Sequence, residues 1–144
     1  SSTFWTERIG PTAALETLKL MKKYKSWNKI SKTGRKIKKK WKLIANKYQI
    51  PIKINGLESL PSFEILDANW IYYKTFISQE FLKKNILAAN TIYVCVYHSD
   101  KILNRYFVEL EKIFKVIGDC LKSKKNIKKL LKSPVCKTGF FRLN

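Results

Sequence analysis

Ile52-Lys53-Ile54-Asn55-Gly56, followed after Pro61 by Ser62-Phe63-Glu64-Ile65-Leu66, is the stretch whose reading decides the fold. Apolar and polar residues alternate in the first segment as they do in a strand with one buried face, and Asn55-Gly56 offers a turn or bulge. The second segment then reads as the returning partner of a short antiparallel pair. A third strand is expected over 91–97, in the apolar run Ile92-Tyr93-Val94-Cys95-Val96-Tyr97.

Outward from these strands the pattern becomes helical. Ile102, Leu103, Tyr106, Phe107, Leu110, Ile113, Phe114 and Ile117 recur at three- and four-residue intervals behind the cap Ser99-Asp100, and Gly118 closes the run. Ile37, Trp41, Ile44, Ala45 and Tyr48 keep the same period up to Pro51, after a break at 31–34, and predict a second helix with its lysines outward. Pro11 suits the first turn of a helix over 11–25. A helix over 74–84 turns Phe76, Ile77 and Phe81 inward and ends at Asn85, and a short lysine-rich helix over 122–132 precedes an extended tail. The expected class is α+β: a small three-stranded antiparallel sheet with helices covering one face. The bare second face of so small a sheet then has to meet something. Residues 1–15 read as an entry into a helix with no flexible tail, so the expectation is a piece of a larger protein.

With 144 residues, 45% hydrophobic and 13% aromatic, the chain suffices for one modest core. No apolar run approaches the roughly 20 residues of a membrane span, so a soluble, cytoplasmic protein without membrane partners is expected. Cys95, Cys120 and Cys136 are widely spaced, and a single histidine accompanies them. Free thiols fit better than a metal site, and Cys95 reads as a small buried strand residue. Thirty basic against ten acidic residues give a formal charge of +20, which raises the question of nucleic acid. Of the thirty, 26 are lysine, however, and recognition surfaces exploit arginine's flat, bidentate group. The densest run, Arg35, Lys36, Lys38, Lys39, Lys40 and Lys42, reads as a solvated helix face, with nonspecific attraction to polyanions as the alternative.

Ser1-Ser2-Thr3-Phe4-Trp5-Thr6-Glu7-Arg8-Ile9-Gly10-Pro11-Thr12-Ala13-Ala14-Leu15-Glu16-Thr17-Leu18 resembles the segment of class III PLP-dependent aminotransferases that runs from a small-residue-Thr motif into an alanine-rich helix. The resemblance continues through the strand and Asn-Gly turn at 52–63, the stretch 81–91, the order His98-Ser99-Asp100, and the ending Pro134-Val135-Cys136-Lys137-Thr138-Gly139-Phe140-Phe141-Arg142-Leu143-Asn144. Within the family it is most similar to glutamate-1-semialdehyde aminomutases. One departure is that Thr6-Glu7-Arg8 stands where most members have Gly-Asn-Pro, which leaves the substrate branch open.

The resemblance implies a division into a phosphate-contact loop and connecting helix (1–25) and the C-terminal small domain of a fold-type I PLP enzyme (26–144). It implies that Ser2 and Thr3 bind the phosphate of pyridoxal 5'-phosphate held by the other subunit of a homodimer. Amides and hydroxyls held near a helix start are suitable donors to a phosphate dianion. The substrate is then a small amino or carbonyl compound. The family's cofactor-holding lysine lies upstream, and no lysine here occupies its strand-end context, so an enzyme segment inactive by itself is expected. His98 reads as a junction residue whose ring donates to a backbone carbonyl, and Arg142 as an interface residue. The alternative is a basic helical module that binds nucleic acid or anionic surfaces.

Overall fold

The computed structural model describes residues 6–137. Strand β1 (Ile52–Asn55) pairs antiparallel with β2 (Ser62–Ile65), placing Ile52 opposite Ile65 and Ile54 opposite Phe63. The alternation behaves as expected: Phe63 and Ile65 are buried, Ile52 and Ile54 pack against the core, and Lys53 stands opposite Glu64 on the outer face. That outer face is polar and needs no cover. The expectation of a bare sheet face in need of a partner therefore fails. Gly56 makes the turn at φ 81, where an added Cβ would sit 2.2 Å from the Leu60 carbonyl oxygen, so only glycine fits.

The sheet has two strands and not the expected three. Residues 90–94 do run antiparallel beside 59–63, but the contact shrinks to the single bridge Ser62–Thr91. Ile92 N donates to Pro61 O at 3.1 Å, Val94 N to Ser59 O at 2.9 Å, and Phe63 N to Asn90 O at 3.0 Å. The return bond that would complete the Pro61–Ile92 pair needs an N–H that proline lacks. Apolarity at 91–97 suggested a strand, but the partner's chemistry stops the ladder.

Three helices close over the inner face. Helix α1 (Ile9–Tyr24) leads through Lys25 into the first of them, α2 (Ser26–Lys47), which is continuous across the break expected at 31–34. Gly34 is not a helix breaker. It is a close-approach site, since a Cβ there would lie 1.8 Å from the Glu58 carbonyl oxygen. Helix α3 (Trp70–Leu82) begins four residues earlier than expected because Asp67 Oδ1 accepts from Asn69 N at 2.7 Å and sets up the first turn. It ends at Leu82 with Lys83 as its cap, two residues short of the expected 84, and the turn that follows reaches Asn85, whose φ of 53 lets Ile86 N reach back to Phe81 O at 3.1 Å.

Helix α4 (Asp100–Leu121) carries the Ser99 cap, with Ser99 Oγ accepting from Ile102 N at 3.4 Å. Gly118 does not close it: it is buried within the last turn, against the backbone of Tyr48. The turn at Ser123 follows, and only Ile127–Leu130 of the expected C-terminal helix is helical, forming α5.

Phe63 is the centre of the core. Its ring meets Trp41 of α2 edge-on at 4.9 Å and Phe114 of α4 at 5.6 Å, while Phe81 of α3 stacks on Tyr106 at 5.0 Å. Trp41 Nε1 donates to the Tyr106 hydroxyl at 2.9 Å, a buried bond that ties α2 to α4. Such indole and phenol groups are buried at little penalty only when paired like this.

Candidate functional site

Ser2 and Thr3, the two residues that resemblance assigns to a cofactor phosphate, lie outside the described residues, as does Arg142. Helix α1, which begins a few residues after the Ser-Thr pair, is unlike every other long element: none of its residues is buried. Ile9 is 75% exposed, Leu15 61% and Leu18 62%, on a helix that also bears Leu20, Met21 and Tyr24. These apolar residues lie on more than one side of the helix, so a single neighbour does not cover them.

One side borders a groove of about 610 Å³, shared with the start of α2 and the segment 94–97, and lined by Leu20, Met21, Tyr24, Ile30, Val94 and Tyr97. Ser26 also lines it, and Ser26 Oγ is the one buried side-chain oxygen among the described residues without a hydrogen-bond partner. Leaving a hydroxyl so placed costs on the order of 1–3 kcal/mol. That Leu20, Met21 and Tyr24 border an open groove has no signal in the local sequence, since the segment 94–97 that completes it is far along the chain.

Cys95 borders this groove and is exposed, contrary to the buried strand position expected for it, because the third strand does not form. Cys120 is buried, and burial pushes its thiol up. His98 holds the turn before α4, with no strand preceding it and with the opposite polarity to that expected: its Nδ1 accepts from Cys95 N at 3.0 Å, and no backbone carbonyl among the described residues receives its proton. The ring thus carries its hydrogen on Nε2 when neutral. It lines an apolar cavity of about 380 Å³ with Tyr93, Ile102 and Tyr106, and no carboxylate borders that cavity.

None of the described lysines is buried. A lysine that holds PLP covalently has to be desolvated and fixed at one position, and the solvated amines of these helices do not meet that requirement. The described residues therefore fit no covalent attachment of the cofactor. Among them there is also no group of three or more His, Cys, Asp or Glu able to hold a metal ion, and no helix is long and apolar enough to cross a membrane.

On α2 the basic run divides by partner. Lys36 pairs with Asp100 at 2.5 Å, Lys38 donates to Gly56 O at 2.6 Å, and Lys47 pairs with Glu111 at 2.5 Å, all reaching other elements. Lys36 holds the Asp100 carboxyl below its usual range, and Lys47 does the same for Glu111. Lys32, Arg35, Lys39 and Lys42 fall on the side of α2 opposite Trp41 and take part in none of the ion pairs among the described residues. Most of the run is therefore the solvated face expected.

Compared with known protein families, with characterised proteins and with solved structures, the chain matches none.

Proposed function

We propose that this chain is the C-terminal part of a PLP-dependent aminotransferase or aminomutase similar to glutamate-1-semialdehyde aminomutase, moving an amino group to or within a small carbonyl substrate. Residues 1–25 form the phosphate-contact loop and connecting helix in this reading, and 26–144 the small domain. The observation that carries it is α1. An apolar helix that buries nothing, placed shortly after the Ser2-Thr3 pair, is what a connecting helix looks like without the portion it packs on.

In this reading Ser2 and Thr3 donate amide and hydroxyl hydrogens to the phosphate of a cofactor held by the other subunit of a homodimer, so the grip orients the ring without taking part in proton transfer. PLP, when bound, supplies the electron sink that stabilises the substrate's carbanion. In the family the lysine that holds it lies upstream of the segment this chain resembles.

The test is to express the chain with the coding sequence upstream of Ser1. Purified protein should show a visible cofactor band that disappears when one upstream lysine is replaced, and Thr3→Ala should weaken PLP retention about tenfold. Absence of any lysine-dependent band sinks the reading.

The second reading, a basic module for nucleic acid or another polyanion, draws on Lys32, Arg35, Lys39 and Lys42. It requires binding to duplex nucleic acid that survives physiological salt and is lost when this stripe is neutralised. Binding that vanishes by about 0.15 M salt leaves it without support.

A further inference from the structure

At the end of α4 the chain turns on Ser123, at φ 59, with Ser123 N donating to Cys120 O at 3.0 Å and Lys124 N to Asp119 O at 2.9 Å. This turn and the start of α3 border an open surface cavity of about 460 Å³. Lys124, Lys125 and Lys128 all border it, and the one described carboxylate paired with any of them is Asp119, 3.0 Å from Lys125. Asp119 is held below its usual range by that bond and by the charges of Lys125, Lys124 and Lys115, so it stays ionised and only partly offsets the cations. Lys128 Nζ sits 4.9 Å from the centre of the Tyr72 ring, beside the residues that line the cavity, a weak contact that an anion in the cavity can replace.

Tyr73 lines the same cavity from α3. The residue is 2% exposed, yet its hydroxyl forms no hydrogen bond with any described residue. Unlike the buried Ser26 Oγ, this hydroxyl is open to solvent at the cavity wall, so it is a donor available to a bound group. Burial, and then the charge of Asp67, push this phenol up to about 12, which keeps it protonated at neutral pH. Asn126 uses its Oδ1 to accept from Lys128 N at 3.0 Å, which leaves its amide hydrogens as donors. The polar wall is thus dominated by donors, three of them cationic, beside an apolar patch from Cys120 and Ile127.

We propose that this cavity binds the phosphate group of a small organic phosphate, with Tyr73, Lys124, Lys125 and Lys128 donating to its oxygens. A phosphate dianion accepts several charge-assisted hydrogen bonds at once and cancels the repulsion among the three ammonium groups. The volume falls within the range of small-molecule sites, roughly 300–1,000 Å³, and leaves space for an organic portion against Cys120 and Ile127. No residue of the Ser2-Thr3 pair is involved, and the site stands whether or not the aminotransferase reading does.

The full 144-residue chain, ¹⁵N-labelled, is titrated with glycerol 3-phosphate at about 0.15 M chloride, where exposed charges are screened. Saturable amide shifts are expected at Tyr73 and over 119–128. The double change Lys124→Ala/Lys128→Ala should weaken binding about tenfold or more, and Tyr73→Phe, which keeps the ring, about threefold to tenfold. The control pair Lys39→Ala/Lys42→Ala on α2 should leave the affinity unchanged. An affinity indifferent to Lys124 and Lys128, or reduced equally by the α2 control, means diffuse charge attraction and overturns the proposal. Inorganic phosphate is titrated alongside; if it binds as tightly as the ester, the organic portion is not recognised and that half of the proposal falls.

Discussion

Helices α1 and α4 carry comparable apolar residues and end in opposite situations. Leu103, Tyr106, Phe107, Leu110, Ile113, Phe114 and Ile117 of α4 are all buried, whereas α1 buries nothing. On α4 the apolar residues form one stripe, and α2, α3 and β2 supply side chains that fit it. On α1 they spread over several sides, and only the start of α2 and the segment 94–97 lie near. Periodicity states which face is available for burial. Whether that face contributes to stability depends on what stands opposite.

The comparison can be broken at five points, all measurable by urea denaturation of the full chain. The largest effect is expected for Phe114→Ala, which empties space between Phe63 and α4 and should cost about 3–5 kcal/mol. A loss below about 1 kcal/mol would mean that α4 is not the centre of the core.

Gly34→Ala comes next. It drives a methyl into the Glu58 carbonyl, and either α2 or the loop has to move, at about 2–3 kcal/mol. A neutral outcome would show that the loop at Glu58 yields freely.

Trp41→Phe keeps an aromatic ring but removes the donor to Tyr106, and an expected loss of about 1–2 kcal/mol should appear in the unfolding midpoint. If Trp41→Phe is tolerated without loss, the bond between α2 and α4 adds no stability.

The pH dependence separates the two helices again. Asp100, Glu111 and Asp119, all on α4, are held below their usual range by Lys36, Lys47 and Lys125 respectively. A carboxyl depressed in the folded protein adds stability above its unfolded value and loses it as pH falls through the folded one. Stability should therefore be flat near neutrality and decline once pH drops below the ordinary 4.5 and 3.8 of these groups. All three pairs are solvent-exposed, so the decline should be modest and shrink further in high salt. At the alkaline end Tyr73 works in the reverse sense, since its phenol is raised: its contribution is intact below 10.0 and lost as pH rises towards about 12.

Leu18→Ala on α1 should change stability by less than about 0.5 kcal/mol, because the side chain is already exposed. A loss above about 1 kcal/mol would show that α1 is covered in solution, for instance by a second copy.

Much of this architecture was legible from local chemistry. The β-hairpin follows from the alternation at Ile52–Asn55 and the glycine after it, and α4 from its stripe and Ser99. The errors share a cause. Gly34 reads as a breaker because glycine weakens helices, yet it is retained where the Glu58 carbonyl presses against the helix. The run 91–97 reads as a strand because it is apolar, yet Pro61 in its partner cannot complete the ladder. The candidate sites were less legible. Ser2 and Thr3 rest on resemblance, and the Tyr73 cavity joins α3 to a turn far along the chain, a pairing without local signal.

The sequence by itself determined which segments alternate, which carry a helical stripe, that Ser99 caps a helix, and that the charge is strongly positive. Those properties depend on neighbours within a few residues, where backbone geometry is the only intermediary. Only the tertiary structure decided which apolar faces are covered, which lysines find carboxylates, and that Tyr73 and three lysines share one cavity. Each of these depends on groups far apart in the chain, brought together by a core formed around Phe63.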